Sequence, residues 1–181
     1  MHFIVYDLEA TCWQNRPPSI PQETIEFGAF KLTEDGEAVR SFQAFVRPIL
    51  HPRLSSFCTE LTGIEQEDVD RADRFDVVCD DFIEFCGYDD GEDYLLCSWG
   101  DFDAKQLRRD CRLHRMGEAW IDPHVNLKRQ YKEIKRLSKP RGLARAVAAT
   151  GQAWEGPQHR AIDDARNLVK VFRAYIDEWV Y

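Results

Sequence analysis

The segment from Phe3 to Glu9, Phe-Ile-Val-Tyr-Asp-Leu-Glu, is an almost unbroken apolar and β-branched run that ends in two carboxylates. Such a run predicts a strand buried on both faces. Side chains alternate along a strand, so Asp7 and Glu9 share one side and Leu8 takes the other. Ala10 to Gln22, with Pro17, Pro18 and Pro21, reads as an irregular segment that cannot form a regular ladder. Thr24 to Leu32 predicts a second strand, and Glu34-Asp35-Gly36-Glu37 a turn into a third from Ala38 to Val46, the two forming an antiparallel hairpin. A short helix is expected over Pro52 to Leu61. Phe75, Val78, Cys79, Phe82 and Cys86 recur every three or four residues up to Gly87, an amphipathic helix with a glycine stop.

Asp89-Asp90-Gly91 reads as a turn and Tyr94 to Trp99 as another buried strand, followed by a helix from Phe102 to about His114. Trp120 to Val125 has no clear period. Helices are expected near Asn126 to Arg136, over Leu143 to Thr150 ahead of Gly151, and from about Arg160 to Trp179. The last carries Ile162, Ala165, Val169, Phe172, Ile176 and Trp179 as one core-facing stripe. Strands followed by helices interleaved with further strands predict an α/β domain with a mixed sheet, in which function gathers at the carboxyl ends of central strands. No repeat or linker divides the 181 residues, so residues 1–181 are expected to form one domain.

Hydrophobic content of 44% and charged content of 31% fit an ordinary globular chain, and no apolar run nears the ~20 residues of a membrane span. Met1-His2-Phe3 runs straight into the first strand, which leaves no room for a signal peptide. An intracellular, cytoplasmic protein is therefore expected. The six cysteines are scattered without a C-x-x-C pair, which predicts reduced thiols and no zinc site.

A net charge of -8 argues at first against a nucleic-acid partner, but the charge is polarised. Glu60 to Asp93 holds fourteen acids and two bases, and Lys128 to Arg145 eight bases and one acid. The acidic stretch reads as a solvated face, with docking of a basic partner as the rival reading. The basic stretch, with Tyr131 among Lys128, Arg129, Lys132, Lys135 and Arg136, is a candidate phosphate track, with a solvated helix face as the alternative.

Three more groups stand at element ends. Asp103 opens the helix after the Tyr94 strand, Asp164 lies in the first turns of the last helix, and His159 precedes that helix. Singly, each acid reads equally well as an N-terminal complement to a helix dipole. Together with Asp7 and Glu9 they make four carboxylates, which at ~4 Å would repel by ~4 kcal/mol per pair at an effective dielectric of 20. If the four meet, two hard divalent cations, Mg²⁺ or Mn²⁺, are the economical counterions, and such a pair clamps the attacking and leaving oxygens of phosphoryl transfer. His159 then serves as general base on the attacking water. Five residues separate it from Asp164, about 140° around a helix, so His159 must hang from the preceding loop if both face one site.

At these residues the chain resembles the DEDDh 3′-to-5′ exonucleases, the ribonuclease T and polymerase-proofreading superfamily with a ribonuclease H-like fold. Within it the chain is similar to the enhanced-RNAi, histone-mRNA 3′-end exonuclease subfamily. The resemblance rests on Asp7-Leu8-Glu9-Ala10-Thr11-Cys12, Glu23-x2-Glu26-Phe27, Val46-Arg47-Pro48, Leu54-Ser55-x-Phe57-Cys58-x2-Leu61-Thr62-Gly63-Ile64, Ser98-Trp99-Gly100-Asp101-Phe102-Asp103 and His159-Arg160-Ala161-x-Asp163-Asp164-Ala165-x-Asn167. It implies a mixed five-stranded sheet flanked by helices, two metals on Asp7, Glu9, Asp103 and Asp164, and His159 as base. It also implies an aromatic sandwich on the 3′-terminal base from Phe57 and Phe102, with Thr11 and Thr62 near the terminal nucleotide. Asp101 is the alternative to Asp103, which is preferred because it directly follows an aromatic and precedes Leu107 by four, as in the family pattern. Phe57 and Phe102 read alternatively as core.

The function so implied is hydrolysis of single-stranded RNA from its 3′ end, releasing nucleoside 5′-monophosphates. DNA trimming and a catalytically silent RNA-binding module are the rivals. Animal members carry an N-terminal nucleic-acid-binding extension that is not matched here, which favours general trimming over recognition of a particular stem-loop.

Overall fold

A computed structural model of the protein describes residues 1–15, 19 and 21–181, so the expected break at Pro17 and Pro18 lies outside the described residues. Five strands, β1 (His2–Ala10), β2 (Thr24–Leu32), β3 (Ala38–Phe45), β4 (Tyr94–Ser98) and β5 (His124–Asn126), form one sheet in the order β3-β2-β1-β4-β5. β1 pairs antiparallel with β2 and parallel with β4, and β2 pairs antiparallel with β3, the expected hairpin. The apolar run thus occupies the centre of a mixed sheet, where a strand covered on both faces has to be apolar throughout.

The alternation of β1 divides the core. Ile4, Tyr6 and Leu8 pack with Phe27 beneath α3 (Phe75–Cys86) and α4 (Phe102–His114). Phe3 and Val5 face the other layer, with Leu127 and Tyr131 of α5 (Leu127–Ile134), Ala146 of α6 (Leu143–Ala149) and Leu168 and Phe172 of α7 (Ala161–Ala174). Asp7 and Glu9 continue the odd-numbered series, so they point toward the α7 layer at the carboxyl end of the strand.

Several elements differ from expectation. The helix expected from Pro52 starts at Ser56, as α1 (Ser56–Thr62), because the Ser55 hydroxyl accepts from Cys58 N–H at 3.0 Å and caps it. A further short helix, α2 (Gln66–Arg71), buries Val69 alone and so leaves no hydrophobic period. The unclear Trp120 region is a 3-10 turn at Ala119–Ile121 followed by β5. α7 ends at Ala174, short of Trp179. Trp179 nevertheless joins the core, since its Nε1 donates to Phe172 O at 2.9 Å across the turns beyond the helix. All six cysteines are free, and no helix among the described residues is long and apolar enough to cross a membrane.

Candidate active site

β1 and β4 run parallel, so their carboxyl ends lie at one edge of the sheet, and α4 begins there immediately after β4. This places Asp103, the second residue of α4, beside the end of β1. Asp103 is buried, and its Oδ1 accepts from Leu8 N–H at 3.2 Å, between Asp7 and Glu9 in sequence. Asp101 is exposed and its Oδ1 accepts from Asn126 Nδ2 at 2.8 Å, so of the two aspartates it is Asp103 that turns toward the strand.

α7 delivers the rest. Asp164 sits in its first turn, and His159 stands before it with a left-handed φ of 61°, its N–H donating to Asp164 Oδ2 at 3.0 Å. The histidine therefore hangs from the loop, as the 140° offset requires. Glu9, His159 and Asp164 present ligand atoms that all lie within 4.8 Å of one another.

The carboxylates feel one another. Burial first, then the charges of Asp103, Glu9 and Asp164, pushes Asp7 well above the usual carboxylate range. Glu9 is pushed up to about 9 by burial, Asp164 and Glu26. Burial raises Asp164 to about 6 against the opposing His159 N–H bond. Asp103 is likewise raised to about 6 by burial, against hydrogen bonding that includes Leu8 N–H and the charge of Lys128. Two neighbouring arginines are taken elsewhere, Arg160 by Glu26 and Arg166 by Asp163. A set of oxygen donors with mutual repulsion and no paired Lys or Arg among the described residues fits hard divalent cations, and a soft metal poorly.

The support for this cluster comes largely from Glu26, matched in sequence but assigned no role there. It faces Glu9 across the β1–β2 ladder and is fully buried. It accepts from Arg160 Nε at 3.1 Å, Arg160 Nη2 at 3.0 Å, Ala161 N–H at 3.0 Å and Gln43 Nε2 at 2.8 Å. A buried carboxylate thus holds the first turn of α7, where the helix dipole favours negative charge. Gly28 lies opposite Asp7, and a Cβ there would overlap the backbone of Ala161 and Ile162, so the absence of a side chain lets α7 dock directly on β2. Asn167 ties the loop before His159 to the helix, donating to Glu155 O at 2.7 Å and accepting from Glu155 N–H at 3.0 Å.

Of the expected substrate contacts, Phe102 is 47% exposed at the start of α4 and Phe57 is partly buried on α1, and neither belongs to a core cluster. The core alternative for these two rings therefore falls. Thr11 and Thr62 are buried, and both hydroxyls take part in hydrogen bonds within the protein. Thr11 Oγ1 accepts from Glu23 N–H at 3.0 Å, while Thr62 Oγ1 donates to Cys58 O at 2.8 Å and accepts from Ile64 N–H at 3.1 Å. Tyr131 corrects the reading of the basic stretch: it is fully buried, its ring 5.3 Å from Trp99 and 5.5 Å from Tyr175, because its side of α5 is the core side. The bases there also disperse, Lys128 toward Asp103 and Lys135 over the ring of Tyr175 at 5.3 Å.

A family model described as exonuclease, RNase_T, matches residues 4–172. The chain is 34% identical over 191 residues to ERI1 exoribonuclease 2 of Mus musculus, covering 92% of this chain and 27% of that protein. It is 32% identical over 180 residues to 3′-5′ exoribonuclease 1 of Homo sapiens, covering 94% of this chain and 51% of that protein. Against the solved nuclease domain of 3′hExo, a DEDDh family member bound to rAMP, the TM-score is 0.89 at 30% identity, covering 97% of this chain and 92% of that one. The chain spans about half the length, or less, of these curated relatives.

Proposed function

The chain belongs to the RNase_T exonuclease family, whose DEDDh members use divalent metal, and from that premise we propose that it is a 3′-to-5′ exoribonuclease. It would hydrolyse RNA from the 3′ end and release nucleoside 5′-monophosphates, with residues 1–181 as one exonuclease domain in the reducing cytoplasm. The observation that carries this reading is the convergence of Glu9, Asp164 and His159 within 4.8 Å beside Asp7 and Asp103. The choice of RNA is supported by relatives named exoribonucleases and by the rAMP held by a similar domain.

Asp7, Glu9, Asp103 and Asp164 would hold two Mg²⁺ or Mn²⁺ ions, which when bound supply Lewis-acid stabilisation of the charge that develops on the scissile phosphate. The protein's own residues do the remainder. His159, exposed and held by its backbone bond to Asp164, takes the proton from the water that attacks the terminal phosphodiester. Phe57 and Phe102 stack on the terminal base, worth ~1–3 kcal/mol per base and indifferent to its identity. Thr62 shapes the wall beside that nucleotide, since its hydroxyl both donates and accepts within the protein, whereas the Thr11 hydroxyl accepts from Glu23 N–H and keeps its own hydrogen for a contact there.

Time courses on a 5′-labelled single-stranded RNA with Mg²⁺ test the reading. Stepwise loss from the 3′ end is expected, with Asp7→Asn and Asp164→Asn inactive though folded. Full activity in either variant removes the assignment. Matched RNA and DNA oligonucleotides address the rival substrate, and DNA cut as fast as RNA overturns the preference.

A further inference from the structure

Helix α4 has two chemically distinct sides. Asp103, Gln106, Leu107, Asp110 and Cys111 turn inward and are buried. At about 100° per residue, Phe102, Lys105, Arg109 and Arg112 fall within an arc of about 80°, and all four are exposed. Lys105, Arg108, Arg109 and Arg112 line a shallow groove of about 330 Å³. A groove walled by four cations runs against the net charge of -8 carried by the whole chain. Two of them are neutralised, Arg108 by Asp122 at 2.8 Å and Arg112 by Glu118 at 2.6 Å. Arg109 bonds a neutral partner, Gln106 Oε1, at 3.1 Å, and Lys105 makes no ion pair among the described residues.

The inner side fixes where this groove lies relative to the catalytic cluster. Asp103 is bonded to Leu8 at one end of α4. Nearer the other, Asp110 Oδ2 accepts from Thr24 N–H at 3.0 Å, Thr24 Oγ1 at 2.6 Å and Gln106 Nε2 at 3.0 Å. With a rise of about 1.5 Å per residue, Arg109 stands about 10 Å along the helix from Phe102. A ring followed by unpaired cations along a rigid rod is the arrangement that stacks one base and tracks the phosphates attached to it.

We infer that the Lys105–Arg109 groove binds the phosphodiester backbone of single-stranded RNA immediately 5′ of the linkage being cut, an inference that rests on the exonuclease reading of the site. It makes α4, rather than the basic run from Lys128 to Arg145, the path of the substrate strand.

The test compares kcat/KM for a 12-nucleotide RNA with that for a dinucleotide too short to reach Arg109, in wild type, Lys105→Gln/Arg109→Gln, Lys105→Arg/Arg109→Lys and Lys132→Gln/Lys135→Gln. Each phosphate contact contributes about 0.7 to the slope of log affinity against log salt for single strands. Loss of two contacts should therefore lower the long-to-short ratio roughly 20-fold at 0.1 M salt and reduce the slope by about 1.4. The charge-conserving variant should keep the wild-type ratio, and the α5 variant should lower it little. An unchanged ratio in the glutamine variant, or an equal fall in the α5 variant, overturns the inference. If wild type cuts neither substrate, the exonuclease reading is what fails. Fluorescence anisotropy of the labelled 12-mer then decides the groove by itself, and equal binding by wild type and the glutamine variant rejects it.

Discussion

Asp7 is the residue at which function and stability oppose each other most directly. Its carboxyl is raised well above the usual range by burial and by Asp103, Glu9 and Asp164, so the ionised form is disfavoured in the folded protein. A carboxyl whose folded pKa exceeds its unfolded one stabilises the fold below the usual carboxylate range and loses that contribution as pH rises through the folded value. For this cluster the window runs from about 4, through about 6 for Asp103 and Asp164, to about 9 for Glu9. Metal-free protein should therefore show this part of its stability declining from pH 4 to pH 9, and added Mg²⁺ should raise Tm more at pH 8 than at pH 5. Calorimetry at both pH values checks this, and an equal Mg²⁺ effect refutes it. By the same argument Asp7→Asn should melt higher than wild type in EDTA at pH 8 while losing turnover. If His159 is the proposed general base, His159→Ala removes it without touching the repulsion, so kcat should fall ~10²–10⁴-fold with little change in Tm. The acids and the histidine were legible in the sequence because strand alternation and helix starts gave each a definite place. Glu26 was not, because its partner Arg160 lies across the fold and no local pattern links a strand residue to it.

At the scale of elements, the docking of α7 on β2 controls the site. Glu26→Gln weakens a buried, doubly bonded ion pair, a change that costs ~3–5 kcal/mol when such a pair is broken. It should lower both Tm and kcat, the latter because Asp164 and His159 move with the first turn of α7. Gly28→Ala should act more severely through the same contact, since the new methyl meets backbone that cannot rotate away. Urea melts of both variants alongside single-turnover rates test this, and a fast, stable Gly28→Ala protein would contradict the docking geometry. β1 and β2 were readable within a residue or so because they bury nearly continuous apolar runs, β3 because the turn before it fixes the hairpin and Phe42 and Ala44 lean on the core, and α3 and α4 because each buries one helical face. α2 and β5 were not. The first buries a single residue, and the second is three residues long, held in place by its ladder to β4.

For the molecule as a whole, polarised charge divides labour. Most acids between Glu60 and Asp93 are exposed, and several cap or pair locally, as in the Glu65–Asp68 capping box and the Arg71–Glu67 pair. Cations beside the catalytic edge come from α4 and Lys128. Removing divalent metal should abolish turnover at any salt concentration, whereas raising salt should weaken long substrates more than short ones. Rates against EDTA and against KCl separate the two. The linear charge pattern revealed that a basic region exists, but the surface that gathers unpaired cations beside Phe102 emerges from helical phase, and the basic run in sequence is partly consumed by the core and by Tyr175.

The close seating of the last helix against Gly28 also bears on assembly. β1 brings Asp7 and Glu9 to the sheet edge by itself, but His159 and Asp164 arrive only when α7 settles onto the β1–β2 hairpin. A partly folded state with that helix undocked therefore holds two of the acids and lacks the groups that complete the pocket.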